Sequence, residues 1–491
     1  MTAPKNYSRS SLALIHASIL SGIIAPGCGP SSVTVITVAP TVSAVSPAST
    51  SIYGSIPLTI TGKNFEVSDL SNLPTVTVGG LSCPLISANS TSIACTAPIH
   101  TAGAVDIIVT NSNSQSGLLE SQFTYLNPVS VFGQANSITG TENTSPGAGS
   151  LSHPHEVLVV GSKLLIVDSG NNRVLIWNSI PTSPFTSSGP PADIVLGQPD
   201  FNTFSIPNPP TATSMQWPTG AAVYNNKLLV ADANNHRILI WNTFPTQSHQ
   251  PADVVIGQTN MTSKAEAVTS TGMSVPYSLV VSATGELFVA DQNQHRVLYY
   301  SAIPSTNGAA ANHVVGQVDF TTYSSTGGTS PTQTSLHYPS GVALWNNHLV
   351  VTDTALRILL YPLPLTQDGP PAVKVLGQPT FTANEYACSP TRLGSPRKAM
   401  VSGNSLYVAE SYNRRISAWL DLRTITNGQA SDHIFGQPSG SVCTSNTGGI
   451  SQTSVNLALE SALIDSLGNI WAADRTNHRV TFNPPFAWVT P

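Results

Sequence analysis

Charge is what this chain has least of. Acids and bases together make up 9% of its 491 residues, against roughly a quarter in ordinary soluble proteins. The 19 basic residues are spread thinly and the formal net charge is −5, so there is no basic footprint for nucleic acid. Only five cysteines occur, with no Cys-x-x-Cys among them, which argues against dithiol redox chemistry and a cysteine-based zinc site. The chain has no HExxH, no nucleophile elbow and no phosphate-cradling glycine loop. No internal apolar run approaches the roughly 20 residues that a membrane-spanning helix needs. Ser, Thr, Asn, Gly and Pro stand where charge is missing, and this neutral-polar surface suits an exported protein. With 40% hydrophobic residues the chain can bury sizeable cores, and its length implies two or three domains.

The N-terminus reads as an address. Lys5 and Arg9 precede the apolar stretch SLALIHASILSGIIA, and PGC follows, ending at Cys28. A positive region, a short apolar core and small residues before a cut site are the parts of a secretory signal. A cysteine just after that core resembles a bacterial lipobox, which implies residues 1–27 as a lipoprotein-type signal peptide and Cys28 as the lipidated residue. Residues 28–39 would then be a tether. The expected location is the cell envelope, lipid-anchored in the outer membrane or at the cell surface, with membrane contact through the anchor alone. In an exported protein the other four thiols, Cys83, Cys95, Cys388 and Cys443, allow three disulfide connectivities. Sequence proximity favours Cys83–Cys95, leaving Cys388–Cys443.

Residues 40–127 show short strands between turn residues: PLTITGKNF (57–65), PTVTVGGLSC (74–83), TSIACTAP (91–98) and AVDIIVTNSNS (104–114). Alternation bounded by Gly, Pro and Asn predicts a small antiparallel sandwich of immunoglobulin-like size. These segments, with the closing FTY at 123–125, resemble an IPT/TIG domain. That resemblance implies a spacer or protein-binding module without catalysis of its own.

From residue 128 to 491 a repeat dominates. LLIVDSGNNRVLIW, LLVADANNHRILIW, LFVADQNQHRVLYY, LVVTDTALRILLY, LYVAESYNRRISAW and IWAADRTNHRVTFN align on Asp168, Asp232, Asp291, Asp353, Glu410 and Asp474. Each unit reads as four strands: a first one usually led by Pro, one ending in the acid, one starting at Arg, and one ending in Gly-Gln. Six units predict a six-bladed β-propeller. The last unit lacks its Gly-Gln strand, whereas an orphan VSVFGQ (129–134) precedes the first, so the orphan is expected to complete the last blade and leave no strand edge unpaired. The fold class is therefore all-β, an Ig-like sandwich followed by a six-bladed propeller closed by an N-terminal strand. The Pro-led segments and the D-x-x-N-x-R motif resemble NHL-repeat propellers. Blade four lacks the Asn and blade five has Glu410 for Asp.

An acid, two amides, a histidine and an arginine within seven residues, Asp232 to Arg237, look like an active site. Six copies make them architecture. The carboxylates are expected to hold turn N–H groups while Arg173, Arg237, Arg296, Arg357, Arg415 and Arg479 brace them, the motif Asn taking a left-handed conformation. His236, His295 and His478, each just before the repeated Arg, read as surface turn residues.

Positions where the copies disagree are better functional candidates. The residue after each blade's Pro begins the innermost strand near the channel mouth: His155, Thr219, Tyr277, Ser340, Arg397 and, by alignment, Glu460. Glu156 and Lys398 adjoin them. A polar ring that differs in every blade suits an asymmetric ligand, and His155, Glu156, Tyr277, Arg397, Lys398 and Glu460 are the candidate ligand-binding residues; the alternative is a solvated rim that only prevents aggregation. Three functions compete. The first is a monomeric binding or interaction protein recognising a protein, glycan or small molecule, with no cofactor. The second, suggested by six-bladed propellers that are lyases or lactonases, is a metal-dependent enzyme with zinc or calcium held through His155, Glu156 and Glu460. The third is a structural or adhesive surface protein. No catalytic residue and no metal ligand set stands out in the repeat itself.

Overall fold

The structure of the protein is a computed structural model that describes residues 38–483 apart from 68–72, 129–130, 135–139, 142–144, 183–188, 325–329, 445–458, 466 and 468. The expected signal segment 1–27 and Cys28 lie outside the described residues. The first domain is a two-sheet sandwich. One sheet orders Thr41–Ser46, Pro57–Lys63, Ser92–Thr96 and Leu85–Ala88; the other orders Ser49–Ser51, Ser116–Leu126, Gly103–Thr110, Thr75–Val78 and Leu81–Ser82. Alternation puts Leu58, Ile60, Ile93, Ile107 and Val109 in the core between them. Cys83 and Cys95 are disulfide-bonded there, and Cys388 is bonded to Cys443 in the propeller loops.

The rest of the chain forms six four-stranded antiparallel sheets. Blade one runs Pro154–Val160, Lys163–Asp168, Arg173–Trp177 and Ile194–Leu196. The inner strands of blades two to six are Pro218–Tyr224, Pro276–Val281, Pro339–Trp345, Pro396–Ser402 and Leu459–Ile464. In blade six the outermost strand is Val131–Phe132, paired antiparallel with Arg479–Asn483, so the orphan strand closes the ring. The second and third strands are buried on both faces, because each blade packs against two neighbours. That is why RVLIW and RILIW read as unbroken apolar runs rather than alternating ones. Separate apolar clusters accordingly fill the five gaps from blade one round to blade six, and the gap between blades six and one shares a cluster with the sandwich core.

The repeated motif binds the loops of one face together. Each acid and its Arg form an ion pair with both side chains fully buried, at 2.8 Å in blades one, two, three and five. The distances are 2.6 Å in blade four and 2.9 Å in blade six. In blade two Arg237 Nη2 also donates to the carbonyls of Thr211 at 2.9 Å and Ser214 at 3.0 Å, and Nη1 donates to Met261 O. One guanidinium thereby satisfies carbonyls of the loop before its blade and the loop after it. In blade two the carboxylate takes no backbone N–H of its turn. Asp232 instead accepts the N–H of Gln216 at 2.7 Å, on the segment leading into its own blade, and the Asn235 amide at 2.8 Å. The turn closes itself as one 3-10 step in which the N–H of the residue before Arg bonds back to Ala233 O. The left-handed residue is that one (Asn172, His236, His295, Leu356, Arg414 and His478) and not the motif Asn.

Those left-handed residues clasp the next blade. Nδ1 of His236 accepts the N–H of Val275 at 3.2 Å, Nδ1 of His295 that of Tyr338 at 3.0 Å, and Nδ1 of His478 that of His153 at 3.2 Å. They are therefore inter-blade acceptors and not free surface turns; His295 is fully buried. Their carbonyls have a fixed partner as well. The Gln of each Gly-Gln donates through Nε2 to Asn172, His236, His295, Leu356 and Arg414 O, and Gln134 of the closing strand donates to His478 O. The preceding glycine is needed for this approach: Gly257 has φ +84°, and a Cβ there would sit 2.9 Å from His236 O.

Candidate functional site: a charged lock across the channel

Each inner strand begins with an irregularity. In blade one Pro154 pairs with Asp168 and Glu156 with Val167, so His155 is the extra residue of a bulge; blade five skips Arg397 and Lys398 between Pro396 and Ala399. A bulge breaks the inward–outward alternation and re-aims side chains. It lets His155 with Glu156, and Arg397 with Lys398, point together at the axis.

These residues do not form a solvated rim. His155, Glu156 and Glu460 are 3%, 2% and 2% exposed. Tyr277 Oη of blade three donates to Glu460 Oε2 of blade six, opposite it in the ring, at 2.8 Å. Arg475 Nη1 reaches Glu460 Oε1 at 3.0 Å, and Arg397 Nε lies 3.7 Å from Oε2. Lys398 of blade five contacts Glu156 of blade one, whose other oxygen accepts the N–H of Ala221 at 3.1 Å. The void left among these side chains is about 10 Å³, no more than one water requires. Thr219 and Ser340 are used differently: their hydroxyls donate to Pro276 O and Pro396 O, fastening adjacent inner strands.

Aromatic rings complete the lock. His155 stands edge-on to Trp217 and Tyr277, with centroids 6.0 and 5.6 Å away. The guanidinium of Arg475 lies 5.5 Å over Trp217 and that of Arg397 6.0 Å over Tyr277. Trp217 and Arg475 were not among the sequence candidates. Arg475 did carry a signal, because the same turn position holds Ser169, Ala233, Gln292, Thr354 and Ser411 in the other blades.

Electrostatics follow from burial and from these contacts. Burial would raise the carboxyl of Glu460, but Arg397, His155, Arg475 and the Tyr277 hydroxyl together hold it down at about 2. Burial takes the imidazole of His155 down to about 4 against the pull of Glu460, so at neutral pH the cations facing Glu460 are the two arginines. Burial also lowers the Lys398 amine to about 7 despite Glu156 beside it. Burial, then Glu460, raises the Tyr277 phenol, which stays a donor. Arg397, Lys398 and Arg475 thus face two carboxylates, one positive charge in excess whenever Lys398 is protonated.

Beyond the lock the channel widens into a cavity of about 400 Å³, running along the inner strands of blades one to five toward their hairpin ends. Leu158, Val223, Leu279, Val342 and Met400 line it, and among the described residues Lys398 is its one charged lining residue. Among the described residues no group of three or more His, Cys, Asp or Glu is placed to hold a metal. His155, Glu156 and Glu460 do come together, but each carboxylate is occupied by a cation of the chain. The donor set does not fit zinc or calcium, which need carboxylates free to coordinate.

Residues 40–125 match the IPT/TIG domain family. No curated protein matches the chain. Among solved structures, an auxiliary nutrient binding protein from Bacteroides ovatus is 14% identical, covering 90% of this chain and 97% of its own, at a TM-score of 0.42. A putative phosphatase from Bacteroides thetaiotaomicron is 12% identical, with 92% and 98% coverage and a TM-score of 0.42. A catalytically inactive virginiamycin B lyase from Staphylococcus aureus, solved with quinupristin, is 12% identical, with 84% and 99% coverage and a TM-score of 0.37. Likeness at this level says nothing about what the chain binds. Residues 40–125 are an IPT/TIG domain, and the six four-stranded sheets that follow are a β-propeller.

Proposed function

We propose that this chain is an exported, lipid-anchored binding protein of the cell envelope, whose NHL-type propeller holds a small ligand in its channel. The observation that carries this reading is the apolar cavity of about 400 Å³ on the axis, closed at one end by the charged lock. Ligand pockets are concave and mainly apolar with a few placed polar groups, and this cavity has that make-up. The lock makes the channel blind, so a ligand held there stays on the hairpin side. The NHL assignment rests on the D-x-x-N-x-R repeats and the Pro-led strands.

The competing reading, a metal-dependent lyase or lactonase, needs carboxylates that Lys398, Arg397 and Arg475 already occupy. Stoichiometric zinc or calcium in the purified protein would return it to favour. The binding reading is tested by thermal shift and native mass spectrometry of the full chain against small apolar and amphipathic compounds. A ligand is expected to raise Tm with concentration, and Ala222→Phe, which fills the cavity, is expected to remove that rise. A panel without binders, or binding indifferent to Ala222→Phe, overturns it.

A further inference from the structure

Two facts about the cavity are left unused by a generic apolar ligand. The first is that the only charged lining residue among those described stands where the cavity meets the lock: Lys398 borders both. Its ammonium has three donors, and its structural contact is Glu156. The second is the charge imbalance. With Lys398 protonated, Arg397, Arg475 and Lys398 oppose Glu156 and Glu460 among the described residues, and the three cations are largely withdrawn from water, which makes an unmatched charge costly.

Resting on the channel-binding reading, we infer that the cavity is a site for an amphiphile with one carboxylate head and an apolar body. The head sits against Lys398 and the body lies along Leu158, Val223, Leu279, Val342 and Met400. The carboxylate supplies the missing negative charge, accepts the ammonium's remaining donors and leaves the Glu156 contact in place. A neutral head leaves the excess charge uncompensated, and a cationic head adds a fourth positive charge to it. Burial is what lowers the Lys398 amine, and an anion placed beside it favours its charged form. Size agrees: an apolar void of about 150 Å³ takes up benzene, so 400 Å³ has room for a ten-carbon chain.

The test is isothermal titration of the full chain with decanoate, decanol and decyltrimethylammonium, repeated on Lys398→Met and Lys398→Arg. Decanoate is expected to bind at least ten-fold tighter than decanol, with the ammonium compound weakest. Lys398→Met should bring decanoate down to the decanol level while leaving decanol unchanged, and Lys398→Arg should keep the preference. If Lys398→Met does not fold, the double variant Lys398→Met/Glu156→Gln, which strands no buried carboxylate, carries the comparison. Equal affinity for decanoate and decanol, or a preference that survives removal of the lysine, overturns the carboxylate assignment and leaves a cavity that binds by its walls alone. Binding of none of the three overturns the carboxylate assignment; if a wider panel also yields no binder sensitive to Ala222→Phe, the channel reading goes with it.

Discussion

Replacing Glu460 by Gln removes the centre of the lock without changing its volume. In the folded protein this carboxyl sits at about 2 against an ordinary 4.5, and that difference is worth roughly 3 kcal/mol of stability while the group is charged. A depressed carboxyl contributes fully above 4.5 and loses its contribution as pH falls from 4.5 toward 2. Wild type should therefore exceed Glu460→Gln by roughly 3 kcal/mol at pH 7, by about half that at pH 3, and by almost nothing near pH 2. The origin is specific: Arg475 at 3.0 Å, Tyr277 Oη at 2.8 Å and Arg397 at 3.7 Å all lose a charged partner at once. Urea denaturation of both proteins between pH 3 and 7, followed by tryptophan fluorescence, measures the gap, and Trp217 beneath Arg475 reports on the site itself. A gap under about 1 kcal/mol at pH 7 would mean that the cluster behaves like an exposed ion pair. A gap of any size that does not shrink with falling pH would mean that Glu460 is not held as an anion. Either result refutes a cross-channel electrostatic lock.

Two further outcomes test the frame around it. Arg237→Met strands Asp232 and three carbonyls in the protein interior and should cost about 3–5 kcal/mol, whereas Arg423→Met, whose partner Asp421 is also at the surface, should leave the denaturant midpoint almost unchanged; similar losses in denaturant midpoints would dismiss the brace. Burial, then His337, puts His295 at about 4 against 6.5, and its Nδ1 must stay unprotonated to accept from Tyr338. The clasp is thus fully present above pH 6.5 and is lost as pH falls to 4, so wild type should forfeit up to about 3 kcal/mol relative to His295→Gln across that window, and parallel stability–pH curves would remove the clasp from the account.

The ring was legible because it repeats. Asp168 through Asp474 served as a ruler, and the missing Gly-Gln strand at one end with a spare at the other gave the closure. The brace was legible in kind, since six identical clusters cannot all be active sites, but not in its partners. The carbonyls that Arg237 binds come from two loops about 25 residues away in sequence. The histidines were misread because sequence spacing places a residue in a turn without saying where a left-handed backbone aims its side chain. At the lock, alignment placed His155, Glu156, Tyr277, Arg397, Lys398 and Glu460 by blade but not by distance from the axis. Nothing in the chain announces that blade three meets blade six, or that bulges turn Arg397 and Lys398 inward together. The cavity was invisible because its walls, such as Ala221, Ala222 and Val223, differ little from any packed strand.

The position of the IPT/TIG domain follows from how the ring is closed. Among the described residues the closing strand pairs Val131 with Thr481 and Phe132 with Val480. Phe132 anchors it: it is fully buried, edge-on to Trp177 of blade one at 5.5 Å and against Trp471 of blade six at 5.8 Å. The sandwich reinforces the same seam from the other side. Its Tyr53 donates to Asp465 at 2.6 Å in the hairpin of blade six and accepts from the indole N–H of Trp471 at 2.5 Å. Asp465 is itself held by the N–H groups of Leu467 and Asn469. Since the sandwich's last strand, Ser116–Leu126, leads directly into the closing strand, the domain is tied to the seam by the chain and by Tyr53. Two fastenings at one place fix an orientation where one would leave a swivel. The cavity runs toward the same hairpin face, so the domain latches the ring on the side to which the cavity leads.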